Sequence, residues 1–260
     1  MPPAARVWLI GGSSDSLWVA LILSDRLGPL IATVVSPRAQ RLYKNLPDFP
    51  HNSYAGSLTP DTLPRWLTDH RITHIIDASH PFAVEISSLA IATALPYLRY
   101  ERPAVNLAPI IEKHPNIIAI STWDQLFAQA LAQEQQRILL TTGLKSLDRV
   151  IPLLHRAQWW ARVLPSSRNP AIALGFPRNS LILQHPPVDA ATERHQWKTL
   201  EIDTVLTKAS GQAGGLPEKI AAAIALQTRL LILQRPVLPY PHQVHSDEGL
   251  LNHLSAWFRK

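Results

Sequence analysis

"VWLIGGSSDSLWVALIL", residues 7–23, decides the fold. Four apolar residues, Val7 to Ile10, run directly into Gly11 and Gly12, then small hydroxyl residues, then a stretch carrying Leu17, Ala20, Leu21 and Ser24 at helical spacing. A continuous apolar strand turned by two glycines into a helix is the opening of a βαβ unit. Glycines let a ligand approach the backbone, and the free N–H groups at the helix start favour a phosphate. No third glycine completes a dinucleotide fingerprint, so a phosphate site and a plain tight turn are both open for Gly11, Gly12, Ser13, Ser14 and Asp15.

The pattern recurs along the chain. "IATVVS", "THIIDAS", "IIAIST", "ILLTTG", "LILQHP", "TVLTKAS" and "LLILQRP" are short apolar runs, most of them followed by an amphipathic stretch of helical length. Such alternation predicts an α/β protein of two Rossmann-like domains, each with a doubly wound, mainly parallel sheet. The proline-rich, mixed-charge segment "ERPAVNLAPIIEKHPN" (101–116) reads as the junction. It places an N-terminal domain at 1–105 and a C-terminal domain at 106–260, the latter ending in a helix capped by Ser246 with Asp247 and Glu248 in its first turn. Ligands of such sheets bind outside the carboxyl ends of the strands. An interdomain cleft lined by strand ends is therefore expected.

Composition narrows the partners. The 260 residues are 46% hydrophobic and 17% charged, which suits a globular protein. The absence of cysteine excludes a disulfide framework, a zinc-thiolate site and a cysteine nucleophile. No metal is expected. No apolar run approaches the roughly 20 residues a membrane span needs, and the N-terminus lacks a signal-peptide core, so a cytoplasmic, soluble monomer is expected, away from membranes. The formal charge of +6 attracts anions. The basic residues are dispersed, without the run or aromatic interleaving that nucleic acid would call for, and a polyanionic small molecule fits better.

Two further turns matter. "VVSPRAQR" (34–41) ends the second strand with Ser36, Arg38 and Arg41 and no carboxylate, which in a dinucleotide site accommodates a 2′-phosphate; a solvated face is the competing reading of Arg38 and Arg41. "IIDASHPFA" (75–83) runs a buried strand into His80 and Pro81. Proline suits the first helical position and forces its predecessor extended, so His80 is expected as an N-cap, with Phe82, Ile86 and Leu89 on the buried stripe of the helix. The helix dipole would keep that imidazole neutral. A structural turn in which His80 bonds a neighbouring backbone group is the competing reading.

"DASHPFAVEIS" (77–87) with "YLRYERP" (97–103) resembles the pattern of the precorrin-6A reductase family, cobalamin-pathway enzymes that reduce a macrocycle double bond with a nicotinamide cofactor. "GGSSDS", "TTGLKSL", "RVLP", "KASGQAGGLPEKIAAA" and "LILQRP" extend the resemblance over nearly the whole chain, in the family order. Ser13, Asp15 and Ser79 depart conservatively from the family's usual threonine, glutamate and threonine. The resemblance implies NADPH, with NADH as the alternative, held by Gly11, Gly12, Ser13, Ser14, Asp15, Ser36, Arg38 and Ser79. It also implies a polycarboxylate tetrapyrrole, with or without cobalt. His80, Arg99, Arg102, Lys145, Arg162, Lys208, Ser210, Gly211 and Gly214 are its expected contacts, and His80 is the candidate for a catalytic role. A different NADP-dependent reductase and a non-catalytic tetrapyrrole or nucleotide carrier are the rivals.

Overall fold

A computed structural model describes residues 6–27, 30–44, 53–132 and 136–258. The chain forms two units, Met1–Pro103 together with Pro236–Lys260, and Ala104–Arg235.

The first unit contains β1 (Val7–Ile10), α1 (Ser14–Leu27), β2 (Leu30–Val34), α2 (Pro37–Lys44), β3 (Ser53–Ala55), α3 (Leu63–Asp69), β4 (His74–Asp77), α4 (Val84–Ala92) and β5 (Tyr97–Tyr100). In the second unit are α5 (Ala108–Lys113), β6 (Ile117–Ile120), α6 (Trp123–Ala130), β7 (Arg137–Leu140), α7 (Leu147–Val150), β8 (Gln158–Val163), α8 (Arg168–Ala173), β9 (Leu181–Leu183), α9 (Ala190–Thr199), β10 (Thr204–Lys208), α10 (Leu216–Leu226) and β11 (Arg229–Leu233). The chain then returns to the first unit with β12 (Gln243–Val244) and α11 (Asp247–Trp257).

All eight apolar runs are strands. Both sheets are parallel throughout, in the orders β12-β5-β4-β1-β2-β3 and β6-β11-β10-β7-β8-β9. In each, the chain runs outward from a central strand (β1 or β7) through two neighbours and then crosses back to that strand's other side (β4 or β10). The crevices at these reversals, outside the strands' carboxyl ends, are where open α/β sheets hold ligands. β1, β2, β10 and β11 are buried on both faces almost throughout, which is why they read as unbroken apolar runs.

Two expectations need correction. The last 25 residues do not belong to a C-terminal domain of residues 106–260. β12 pairs with β5, the N–H groups of Arg99 and Glu101 donate to the carbonyls of His242 and Val244, and Leu250 and Leu254 of α11 enter the core formed by Leu9, Leu30 and Leu98. The returning strand satisfies an edge that β5 would otherwise expose. Ser246 does cap α11, its Oγ accepting the Gly249 N–H at 3.1 Å. Of the α1 residues at helical spacing, Leu17, Ala20, Leu21 and Ser24, only part faces inward: Ala20 is buried with Ser16, Val19 and Leu23, Leu17 packs against the core, and Leu21 is exposed. An almost continuously apolar helix leaves its buried stripe ambiguous, and the buried Ser16 is explained by the turn before it.

Candidate functional site

The glycine turn after β1 is tightly built. Ser16 Oγ accepts the N–H groups of Gly12 and Ser13, both at 3.0 Å, and donates to the Ser13 carbonyl at 2.7 Å. Tyr43 from α2 hydrogen-bonds Ser16 Oγ, and its hydroxyl also accepts from Gly12 N–H at 3.2 Å. Burial pushes the Tyr43 phenol up from its ordinary value, against the opposing pull of these hydrogen bonds. Gly11 is required because a Cβ there would meet the Tyr43 hydroxyl at 2.2 Å, whereas Gly12 has open space around it but a φ of +106°. Ser13 Oγ donates to the Ala78 carbonyl at 2.9 Å and so ties this turn to the one after β4. Ser14 is exposed, and Asp15 pairs with Arg102 at 2.5 Å. Ser36 caps α2, accepting the Ala39 N–H at 3.3 Å, and Ser36 and Arg38 are both exposed at the carboxyl end of β2.

The histidine turn differs from the expectation. His80 does not cap α4, which starts at Val84 with Ala83 as its cap residue. Instead, Phe82 N–H donates to His80 Nδ1 at 3.2 Å and Ala83 N–H to the His80 carbonyl at 2.8 Å, so His80 closes a turn of its own. The competing structural reading therefore holds locally. With the helix starting later, its dipole no longer argues for a neutral ring. The Nδ1 acceptor role does, because it leaves the ring proton on Nε2. Ile86 and Leu89 pack against the core of Trp8, Ile10 and Tyr97, while α4 fully buries Ser87 and Ala90.

Beneath this turn lies a buried network. Asp77, fully buried, accepts from Ser79 N–H (2.9 Å), Ser87 Oγ (2.6 Å) and Tyr97 OH (2.6 Å), and pairs with Arg99 Nη1 at 2.7 Å. Arg99 also pairs with Glu101 at 2.8 Å and donates to Ser79 Oγ (3.1 Å) and the Ser79 carbonyl (3.0 Å). Burial works against the Arg99 charge, and Asp77 and then Glu101 outweigh it, so its pKa lies above the ordinary value. Arg99 at 1% exposure and Ser79 at 4% are thus spent inside the unit.

The second unit repeats this division. Arg162 is buried and makes a bidentate pair with Glu193 at 2.6 Å on both nitrogens, with a further bond to Gln196. Lys219 lies 3.5 Å from Glu193 and donates to the carbonyls of Gly214 and Gly215 at 3.0 and 3.1 Å. Arg162 therefore locks α9 onto β8. In the glycine-rich turn the N–H groups of Gly214 and Leu216 donate to the Gly211 carbonyl and that of Gly215 to the Gln212 carbonyl, while Ser210 and Gly211 are buried. Gly214 has no room for a side chain, since a Cβ would meet Ser210 Cβ at 2.4 Å.

Lys145 and Lys208 do come together. Lys145 is exposed in the turn after β7; Lys208 is partly buried at the end of β10, its pKa pushed down to about 8 by burial and then by Lys145. Lys208 Nζ sits 5.3 Å from the ring centre of Trp123, the first residue of α6, and Arg149 Cζ lies 5.6 Å from the same ring. Three cations thus gather at the reversal point of the second sheet. Trp123 and Arg149 were not anticipated, and only the position of Trp123 just after an apolar run could have drawn attention to it. Asp77, a carboxylate ending an apolar strand, carried a clearer signal. Among the described residues no cluster of histidine, aspartate or glutamate could hold a metal, and no helix is long and apolar enough to cross a membrane.

Comparison with known proteins covers the whole architecture. A solved structure, the CobK precorrin-6A reductase, matches 97% of both chains with a TM-score of 0.75 at 20% identity, which establishes the fold. A cobalt-precorrin-6A reductase of Synechocystis sp. is 35% identical over 258 residues, covering 95% of each chain, and one of Priestia megaterium is 30% identical over 90% and 92%. A precorrin-6A reductase of Rhodococcus erythropolis is 28% identical over 90% of each. The model of the family described as "Precorrin-6x reductase CbiJ/CobK" matches residues 6–255, and the chain belongs to that family.

Proposed function

We propose that this chain reduces a double bond of the cobalt-precorrin-6A macrocycle in cobalamin biosynthesis, using NADPH. Family membership over residues 6–255 carries the reaction class. The cobalt-containing substrate is favoured by the names of the 35% and 30% identical relatives. The residues present fit the cofactor: Gly11 and Gly12 bring the backbone to the carboxyl end of β1, and the exposed Ser36 and Arg38 offer a hydroxyl and a guanidinium to a 2′-phosphate. When bound, the reduced nicotinamide supplies two electrons and a hydrogen to one carbon of the double bond, and the neighbouring carbon takes a proton.

The chain's own work is binding and orientation. Arg102 neutralises Asp15 at the start of α1, which removes a charge that would repel an incoming phosphate. Lys145 and Lys208 receive substrate carboxylates. The Nε2–H of His80 donates to a carboxylate or a water. The decisive assay follows cofactor absorbance with purified macrocycle, with and without cobalt, against NADPH and NADH. The reading requires turnover with the cobalt form and a preference for NADPH that Arg38→Ala reduces by about tenfold, one lost charge-assisted hydrogen bond. A carrier would bind the macrocycle without oxidising cofactor. His80→Ala with unchanged kcat and KM would remove His80 from the site.

A further inference from the structure

The cations of the second unit are gathered around an indole. Trp123 opens α6 immediately after its cap residue Thr122, whose side chain accepts the Gln125 N–H at 3.2 Å. Its ring stacks on Phe127, centroids 5.9 Å apart and 20° between planes, and Phe127 in turn meets the buried Trp159 edge-on at 6.4 Å. The indole is thereby anchored to the core and has a defined orientation. Lys208 Nζ lies 5.3 Å from the ring centre, within the range where an aromatic face attracts a cation.

We propose that Trp123 is the positioning residue of the substrate site, holding the Lys208 ammonium charged and in place at the end of β10 for a substrate carboxylate. This rests on the substrate role given to Lys208 above. The surroundings explain why such a device is needed. Lys145 from the turn after β7 and Arg149 from α7 add like charge, and Arg235, past β11, is bonded through Nε to the Ala209 carbonyl at 2.8 Å. Burial and Lys145 both disfavour the charged lysine, and an aromatic face opposes them without placing a carboxylate in the site, where it would compete with substrate. A flexible ammonium becomes a directed one.

The test reads Lys208 directly in the intact enzyme. Acetylation by acetic anhydride is followed peptide by peptide as a function of pH, which reports the free amine at each lysine. Wild type should show a midpoint near pH 8 at Lys208. Trp123→Leu keeps an apolar side chain but removes the aromatic face, and should move the midpoint down by about half a unit to one unit. Trp123→Phe should restore most of it. In turnover assays the alkaline rise in KM should begin at correspondingly lower pH in Trp123→Leu, with kcat little changed. A midpoint that stays or rises in Trp123→Leu overturns the proposal. Lys208→Met separates the two readings: an unchanged KM refutes the carboxylate role of Lys208, and with it Trp123's purpose, even if the midpoint has moved.

Discussion

The two units make the same turn with opposite charges. After β1 and after β7 alike, the sixth residue past the strand is a buried serine, Ser16 or Ser146, that stitches the turn to itself. The residue before it is Asp15 in one unit and Lys145 in the other. Asp15 is paired with Arg102, whereas Lys145 is brought toward a second lysine. The buried networks differ in the same way: Arg99 stands between two carboxylates, Asp77 and Glu101, and Glu193 between two cations, Arg162 and Lys219. One architecture thus yields a charge-balanced turn after β1 and a cationic turn after β7.

The largest test removes the centre of each network. Arg99→Met leaves two carboxylates together in the interior, and Glu193→Gln leaves two cations. Each should cost about 3–5 kcal/mol in denaturant unfolding, the penalty of an uncompensated buried charge. Hydrogen exchange should localise the first loss to the unit containing β12 and α11 and the second to the unit containing α9. Loss spread evenly over both would break the comparison. Next come the glycines without room: Gly11→Ala and Gly214→Ala should each cost about 1–3 kcal/mol through overpacking. Gly11→Ala displaces Tyr43 and should raise the KM for cofactor; Gly214→Ala should leave it unchanged.

How far the sequence reveals this depends on what each residue answers to. The strands were legible because fully buried parallel strands are apolar without interruption. The four that were not among the eight runs, β3, β5, β8 and β12, are short edge strands or, like "YLRY" and "QWWARV", interrupted by an arginine. A cation at a strand end, such as Arg99 or Arg162, looks the same in sequence whether it faces solvent or a buried acid. Glu193, the partner of Arg162, lies on a largely polar helix and gives no sign of full burial. Lys145 and Lys208 lie in turns, where local sequence already indicates position. The return of the last 25 residues to the first unit was hidden because strand pairing across more than 140 residues leaves no local trace.

The smallest effect concerns that returning segment. His74 of β4 packs against Trp257 and Phe258, with ring centroids at 5.0 and 4.8 Å, and His253 of α11 lies between His242 and Trp257 at 5.0 and 4.7 Å. Burial lowers the pKa of both His74 and His253 below 6.5, and His242 lowers His253 further. A histidine depressed in the folded state binds fewer protons there than when unfolded, so its favourable contribution is complete above pH 6.5 and declines as pH falls through the folded value. The first unit should therefore lose a little stability between pH 6.5 and 5, read as faster hydrogen exchange in α11 with α9 as the internal reference. Both groups are only partly buried, which keeps the effect small. His253→Leu should flatten most of the pH dependence, and an α11 that exchanges alike at both pH values would show that the segment is held by β12 and its apolar contacts alone.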